Sequence, residues 1–138
     1  MKIMCLDVGT VRIGIATSDE MNIIASPHSV YKRRTPYLDS RHIAELAEQV
    51  GAKTIVFGLP LKLDGTEGPS AVMARELAER VKTQTDLPIE FQDERLSTVS
   101  AERILIETGN RRDNRKDKID AVAASIILQN YIDKKFHK

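Results

Sequence analysis

Ile3-Met4-Cys5-Leu6-Asp7-Val8-Gly9-Thr10-Val11-Arg12-Ile13-Gly14-Ile15-Ala16 is the stretch on which the fold turns. The apolar run Ile3 to Leu6 suits a strand covered on both faces, over residues 2–8. Gly9-Thr10 is a turn signal. Residues 11–18 then alternate, with Val11, Ile13 and Ile15 on one side and Arg12, Gly14 and Ala16 on the other, a period-two strand. So short a connection permits only an antiparallel neighbour. Asp19-Glu20 turns the chain again, and Asn22 to Ser26 offers a third strand.

Beyond this wing the period changes. Thr35-Pro36 reads as an N-cap followed by a first-turn proline. Ile43, Leu46, Ala47 and Val50 form a helical stripe that Gly51 stops. Thr54 to Phe57 is a short buried strand ending at Gly58-Leu59-Pro60, followed by a polar loop from Lys62 to Gly68. Pro69 opens a second helix with Met73, Leu77 and Val81 inside. Ile89 to Asp93 is a strand, and Ser97 to Thr108 a helix stopped by Gly109-Asn110. A basic loop over 110–118 leads to a last helix from about Ile119 to Phe136, its apolar side including Ala123, Ile126, Ile127 and Tyr131. Strands ending near Asp7, Gly58 and Asp93 are joined by helical crossovers and should be parallel. The expected architecture is α/β: a mixed five-stranded sheet, an antiparallel wing beside parallel strands, with helices on both faces.

The chain has 138 residues, 41% apolar and 30% charged, as expected for one domain over 1–138 with its own core. Its single cysteine, Cys5, excludes an internal disulfide and any cysteine-based zinc cluster. No run of about 18 apolar residues is present, and a charge at Asp7 comes too soon for a secretory leader, so no membrane role and a cytoplasmic location are expected. Net charge is +1, but residues 1–94 hold 11 Lys+Arg against 14 Asp+Glu, whereas residues 95–138 hold 10 against 6. Basic residues gather at Arg111-Arg112-Asp113-Asn114-Arg115-Lys116-Asp117-Lys118, in the tail Lys134 to Lys138, and at Lys32-Arg33-Arg34. Contact with a polyanion and a merely solvated surface both fit them; for the tail a frayed end is the simpler reading.

Open sheets place their sites at the carboxyl ends of parallel strands. Asp7, Gly58-Leu59-Pro60 and Asp93-Glu94 fall at three such ends, and Asp120 begins the last helix. Carboxylates gathered in one crevice repel each other, and a hard divalent cation resolves the conflict, which points to Mg²⁺ or Mn²⁺. Asp7 is assigned as the bridging ligand of a two-metal site, with Glu94 and Asp120 completing the shells. Two such ions about 3.5–4 Å apart support in-line phosphodiester hydrolysis. Each residue also has a plainer reading: Asp7 and Asp93 as turn or cap residues, Glu94 as half of a surface pair with Arg95, Asp120 and Asp117 as charges favoured by a helix dipole. Their joint placement favours chemistry. His28, His42 and His137 pair with no visible nucleophile, no phosphate-loop motif is present, and Gly9 and Gly14 read as hairpin glycines first and phosphate contacts second.

Asp7 to Ala16, Phe57-Gly58-Leu59-Pro60-Leu61, Asp93-Glu94-Arg95-Leu96-Ser97-Thr98 and Lys118-Ile119-Asp120-Ala121-Val122-Ala123-Ala124 resemble, in order, four motifs of the YqgF family. The resemblance covers nearly the whole chain. It implies an RNase H-like fold related to the RuvC junction resolvases, and a cytoplasmic metal-dependent nuclease whose catalytic acids are Asp7, Glu94 and Asp120. The implied role is maturation of the 5′ end of the small-subunit ribosomal RNA precursor; an older assignment is Holliday-junction resolution. The resolvases carry a further acid three residues before the last, where this chain has Asp117. The Asp-x-Gly-Thr opening also resembles actin-like ATPases, which need two such domains.

Three functions therefore compete. A nuclease on structured RNA would use Arg12, Arg95, Arg111, Arg112, Arg115, Lys116 and Lys118 on phosphates, with the backbone of Gly9, Thr10 and Gly58 close by. A resolvase on branched DNA would need a two-fold dimer. A non-catalytic assembly factor with ribosomal contacts would need the basic residues and not the acids. Low aromatic content argues against single-strand stacking and for backbone and shape recognition.

Overall fold

A computed structural model describes residues 1–62, 64–93 and 112–137, the side chains of 112–119 excepted. Among these residues the elements run β1 (Lys2–Val8), β2 (Arg12–Ser18), β3 (Ala25–Lys32), α1 (Pro36–Val50), β4 (Ala52–Leu59), α2 (Pro69–Lys82), β5 (Ile89–Asp93) and α3 (Arg112–Phe136). The sheet order is β3-β2-β1-β4-β5. β1 pairs antiparallel with β2 and parallel with β4, and β4 pairs parallel with β5. The expected mixed sheet, with β1 at its centre, is the observed one.

Alternation along the strands divides the core in two. Met4, Leu6, Ile13, Ile15, Ile55 and Phe57 pack beneath α1 and α2, against Ile43, Ala47, Leu77 and Val81. Ile3, Cys5, Ala16 and Val56 pack on the opposite face against Ala124, Ile127, Leu128 and Ile132 of α3. Phe57, Leu6 and Ile13 have no exposed surface, each burial being worth about 1.5–3 kcal/mol. Local chemistry ends the helices where the sequence says it should. Thr35 Oγ1 accepts the Leu38 N–H at 3.2 Å, and Gly51, at φ 75°, takes the left-handed C-terminal position.

Three sequence expectations need correction. The third strand is not Asn22 to Ser26 but Ala25–Lys32. Asp19 Oδ1 accepts the N–H groups of Ile23 and Ile24, and Asn22 sits at φ 55°, so this segment is consumed by a turn. β3 is an exposed edge strand with Pro27 in its middle, so it lacks the alternation that marks a half-buried strand. The last helix starts at Arg112 rather than near Ile119, so 112–118 is helix and not a basic loop. No Gly or Pro interrupts that stretch. The tail is not frayed through Phe136: Lys135 Nζ reaches Glu90 at 3.1 Å and the Tyr131 hydroxyl at 2.9 Å, and His137 Nε2 bonds the Asn22 carbonyl at 2.8 Å. The expected helix over Ser97–Thr108 lies outside the described residues. Among the described residues no helix is long and apolar enough to cross a membrane.

Candidate active site

Asp7 follows Ile3 and Cys5 on the α3 side of β1, half-buried. Its partner across the antiparallel ladder is Gly14. On its other side, one step past the Leu6–Phe57 pair of the parallel ladder, stands Gly58. Opposed residues of neighbouring strands share a face, so Asp7 is flanked in its row by two positions without side chains. At Gly14 the reason is visible: a Cβ there would overlap the carbonyl group of Asp120. The backbone of α3 rests directly on β2 at that glycine, and does so at the second expected acid.

Gly14 is therefore not a hairpin glycine. It lies inside β2, where a close helix crossing needs it. Gly9 is the hairpin glycine: its N–H donates to the Arg12 carbonyl at 2.8 Å, and a Cβ would stand 2.7 Å from that oxygen. Thr10 is exposed in the same turn. Asp120 is the ninth residue of α3, beyond the first turn where the helix dipole acts, so the plain reading of it as a helix-start charge fails. Far along α3, Gln129 accepts the Ala25 N–H at 2.9 Å and donates to the Ile23 carbonyl at 3.0 Å, which fixes the helix across the wing.

Arg12, two residues before Gly14 on the same face, donates from Nε to Asp120 Oδ2 at 2.8 Å; both side chains are 28% exposed. Asp7 and Arg12 thus flank Gly14 on this face, the Asp120 backbone rests on it, and Arg12 holds the Asp120 carboxylate. Carboxylate oxygens are the donor chemistry that suits a hard divalent ion, and Asp7 and Asp120 supply such oxygens on this side of the sheet. Among the described residues no three His, Cys, Asp or Glu side chains gather as a metal-holding group. The expected third acid, Glu94, lies outside the described residues, as do Arg95 and Arg111. Arg112, Arg115, Lys116, Asp117 and Lys118 belong to the backbone of α3, their side chains being outside those described. Asp93 pairs with Leu59, and alternation puts it on the side of Phe91, across the sheet from Asp7.

A cluster that the sequence reading missed supports the turn after Asp7. Asp39, 1% exposed, accepts from Arg33 Nε at 2.9 Å, the Tyr31 hydroxyl at 2.9 Å and the Arg34 N–H at 2.8 Å. Burial pushes its carboxyl up, but these three donors together hold it below the usual range. Arg33 also donates Nη1 to the Gly9 carbonyl at 3.1 Å, and its N–H to the Val11 carbonyl at 2.8 Å. A sequence signal existed: Asp39 stands four residues before Ile43, on the buried stripe of α1, where an acid needs partners.

A family model described as "RuvX: Holliday junction resolvase" matches residues 1–134. A protein of Syntrophomonas wolfei named "Putative pre-16S rRNA nuclease" is 44% identical over 133 residues, covering 96% of this chain and 94% of its own. One of Moorella thermoacetica with the same name is 41% identical over 134 residues, covering 97% and 96%. Among solved structures, Thermus thermophilus RuvC in complex with a Holliday junction substrate superposes with TM-score 0.60 at 11% identity, over 99% of this chain and 96% of that one. The Fowlpox virus resolvase in complex with Holliday junction DNA gives 0.57 at 14%, over 99% of each. At such identities these two structures speak for the RNase H-like fold alone.

Proposed function

Because the chain belongs to the RuvX (YqgF) family, we propose that residues 1–138 form one nuclease domain that hydrolyses phosphodiester bonds with Mg²⁺ or Mn²⁺, acting in the cytoplasm on the 5′ end of the small-subunit ribosomal RNA precursor. The observation that supports the reading is that Asp7 faces Gly14 across the ladder while the backbone of Asp120 rests on that glycine. Asp7, Glu94 and Asp120 are the catalytic and metal-holding acids of this proposal, with Asp117 a further donor. When bound, divalent ions supply an activated water and a counter-charge for the departing oxygen. Asp7 and Asp120 hold their oxygens in fixed positions, one on the central strand and one on the crossing helix. Arg12 keeps Asp120 oriented and presents a guanidinium to the substrate phosphate. Arg95, Arg111, Arg112, Arg115, Lys116 and Lys118 are the phosphate-binding cations of this proposal, for structured RNA and its ribosomal setting, and Gly9, Thr10 and Gly58 let the backbone approach it.

The test is cleavage of precursor RNA with Mg²⁺ or Mn²⁺. Asp7→Asn should lower the rate by about 10²–10³, the scale of losing one preorganised electrostatic group. The same variant should lose the Mg²⁺-induced rise in melting temperature. Cleavage that persists in EDTA, or at wild-type rate in Asp7→Asn, overturns the proposal. A second reading has the family description on its side: resolution of branched DNA by a two-fold dimer. Sedimentation showing a strict monomer on junction DNA removes it.

A further inference from the structure

The triplet Lys32-Arg33-Arg34 does two different jobs, and only one is structural. Arg33 is spent on Asp39 and on the Gly9 carbonyl. Lys32 and Arg34 are exposed, and among the described residues their side chains make no ion pair or hydrogen bond. They border an open groove of about 790 Å³ between β3 and α1, whose charged lining is Lys32, Arg33, Arg34 and Arg41 against the single acid Glu45. Arg41 is bound to Glu45 by a 2.9 Å pair in which both side chains are more than half exposed, an interaction that adds little and releases easily.

Lys32 is the link between this groove and the candidate active site, since it lines the one and shares a row with Arg12 of the other. The β2–β3 ladder sets Lys32 directly opposite Arg12, the residue that holds Asp120. Arg12 is matched by Asp120, whereas Lys32 opposite it has no ion pair among the described residues and keeps its charge for a ligand. Arg33 ties the groove wall to the Gly9–Val11 turn through two hydrogen bonds, so the wall and the turn after Asp7 move as one piece. Cations at successive stations, rigidly linked to a centre that acts on one phosphate, match the repeating charge of a nucleic-acid backbone and not a single small anion.

We propose that the β3–α1 groove is a phosphate-backbone track, in which Lys32 and Arg34, then Arg41, hold the stretch of an RNA strand that leads away from the bond at Asp7 and Asp120. The proposal rests on the nuclease reading for its direction, not for its binding chemistry. The experiment measures binding of a fluorescent RNA of about 16 nucleotides in EDTA, across a salt series, for wild type, the double variant Lys32→Ala/Arg34→Ala, and a charge-matched control, Arg80→Ala/Lys82→Ala. The control pair ends α2, by the amino ends of the parallel strands. Lys32→Ala/Arg34→Ala should weaken binding about tenfold at physiological salt and flatten the slope of log K against log salt by about 1.4, about 0.7 for each lost phosphate contact. The control should bind as wild type does. Unchanged binding in the groove variant, or an equal loss in the control, overturns the track. The two readings fail separately: cleavage surviving in Asp7→Asn removes the catalysis and leaves this binding comparison intact.

Discussion

Two aspartates paired with arginine stand near the same edge of the sheet, and they are treated differently. Asp39 is sealed, 1% exposed, with three donors on its two oxygens. Asp120 is 28% exposed and takes the Arg12 guanidinium on one oxygen, over a glycine that lets its helix sit flush on the strand. Saturation is what an acid needs to hold a fold, since a buried carboxylate without enough donors is costly. An acid that must exchange its partner for a cation and a phosphate has to keep solvent access and a lightly held contact. On the proposed function, the difference separates scaffold from site more sharply than residue type does.

The comparison breaks most severely at the sealed acid. Asp39→Ala leaves Arg33, only 15% exposed, without its counter-charge and should cost about 3–5 kcal/mol in urea unfolding. Its folded pKa lies below the ordinary 3.8, so in wild type this stabilisation is present above that pH and is lost as pH falls through the lower folded value. A stability curve taken into acid should be flatter for the variant. Gly14→Ala comes next: a methyl group driven against the Asp120 carbonyl should cost about 1–3 kcal/mol and displace the acid, so cleavage is lost while a urea midpoint still reports a folded chain. The smallest effect belongs to the open acid's partner. Arg12→Gln should change stability by less than about 1 kcal/mol, yet lower the salt slope of RNA binding by about 0.7.

Much of the fold is written in local patterns. The Ile3 to Leu6 run, the alternation from Ile13 and the stripe through Ile43 and Ala47 each specify an element and the face it buries. β3 was hidden because an exposed edge strand with a proline carries no burial pattern. The early start of α3 was hidden because arginine, lysine and aspartate suit a helix as well as a loop. Among the candidate site residues, Asp7 was legible as an acid at a strand end, whereas Asp120 was read at a helix start and is the ninth residue of α3. Gly14 was not legible as the point where α3 crosses β2, because a glycine required by a helix crossing reads like one required by a turn until the two elements are seen together. Arg33 looked like its neighbours in the basic triplet; only the buried Asp39 sets it apart.

Pro27 has a consequence beyond its place in the wing. A ring nitrogen carries no proton, and within a paired strand it faces away from the partner, so the outer rim formed by β3 has a missing donor at mid-length. A second copy trying to extend the sheet there would leave one of its own carbonyls unanswered. The wing edge is thereby guarded against strand-by-strand stacking, and concentrated preparations should stay clear of fibrils seeded from that side.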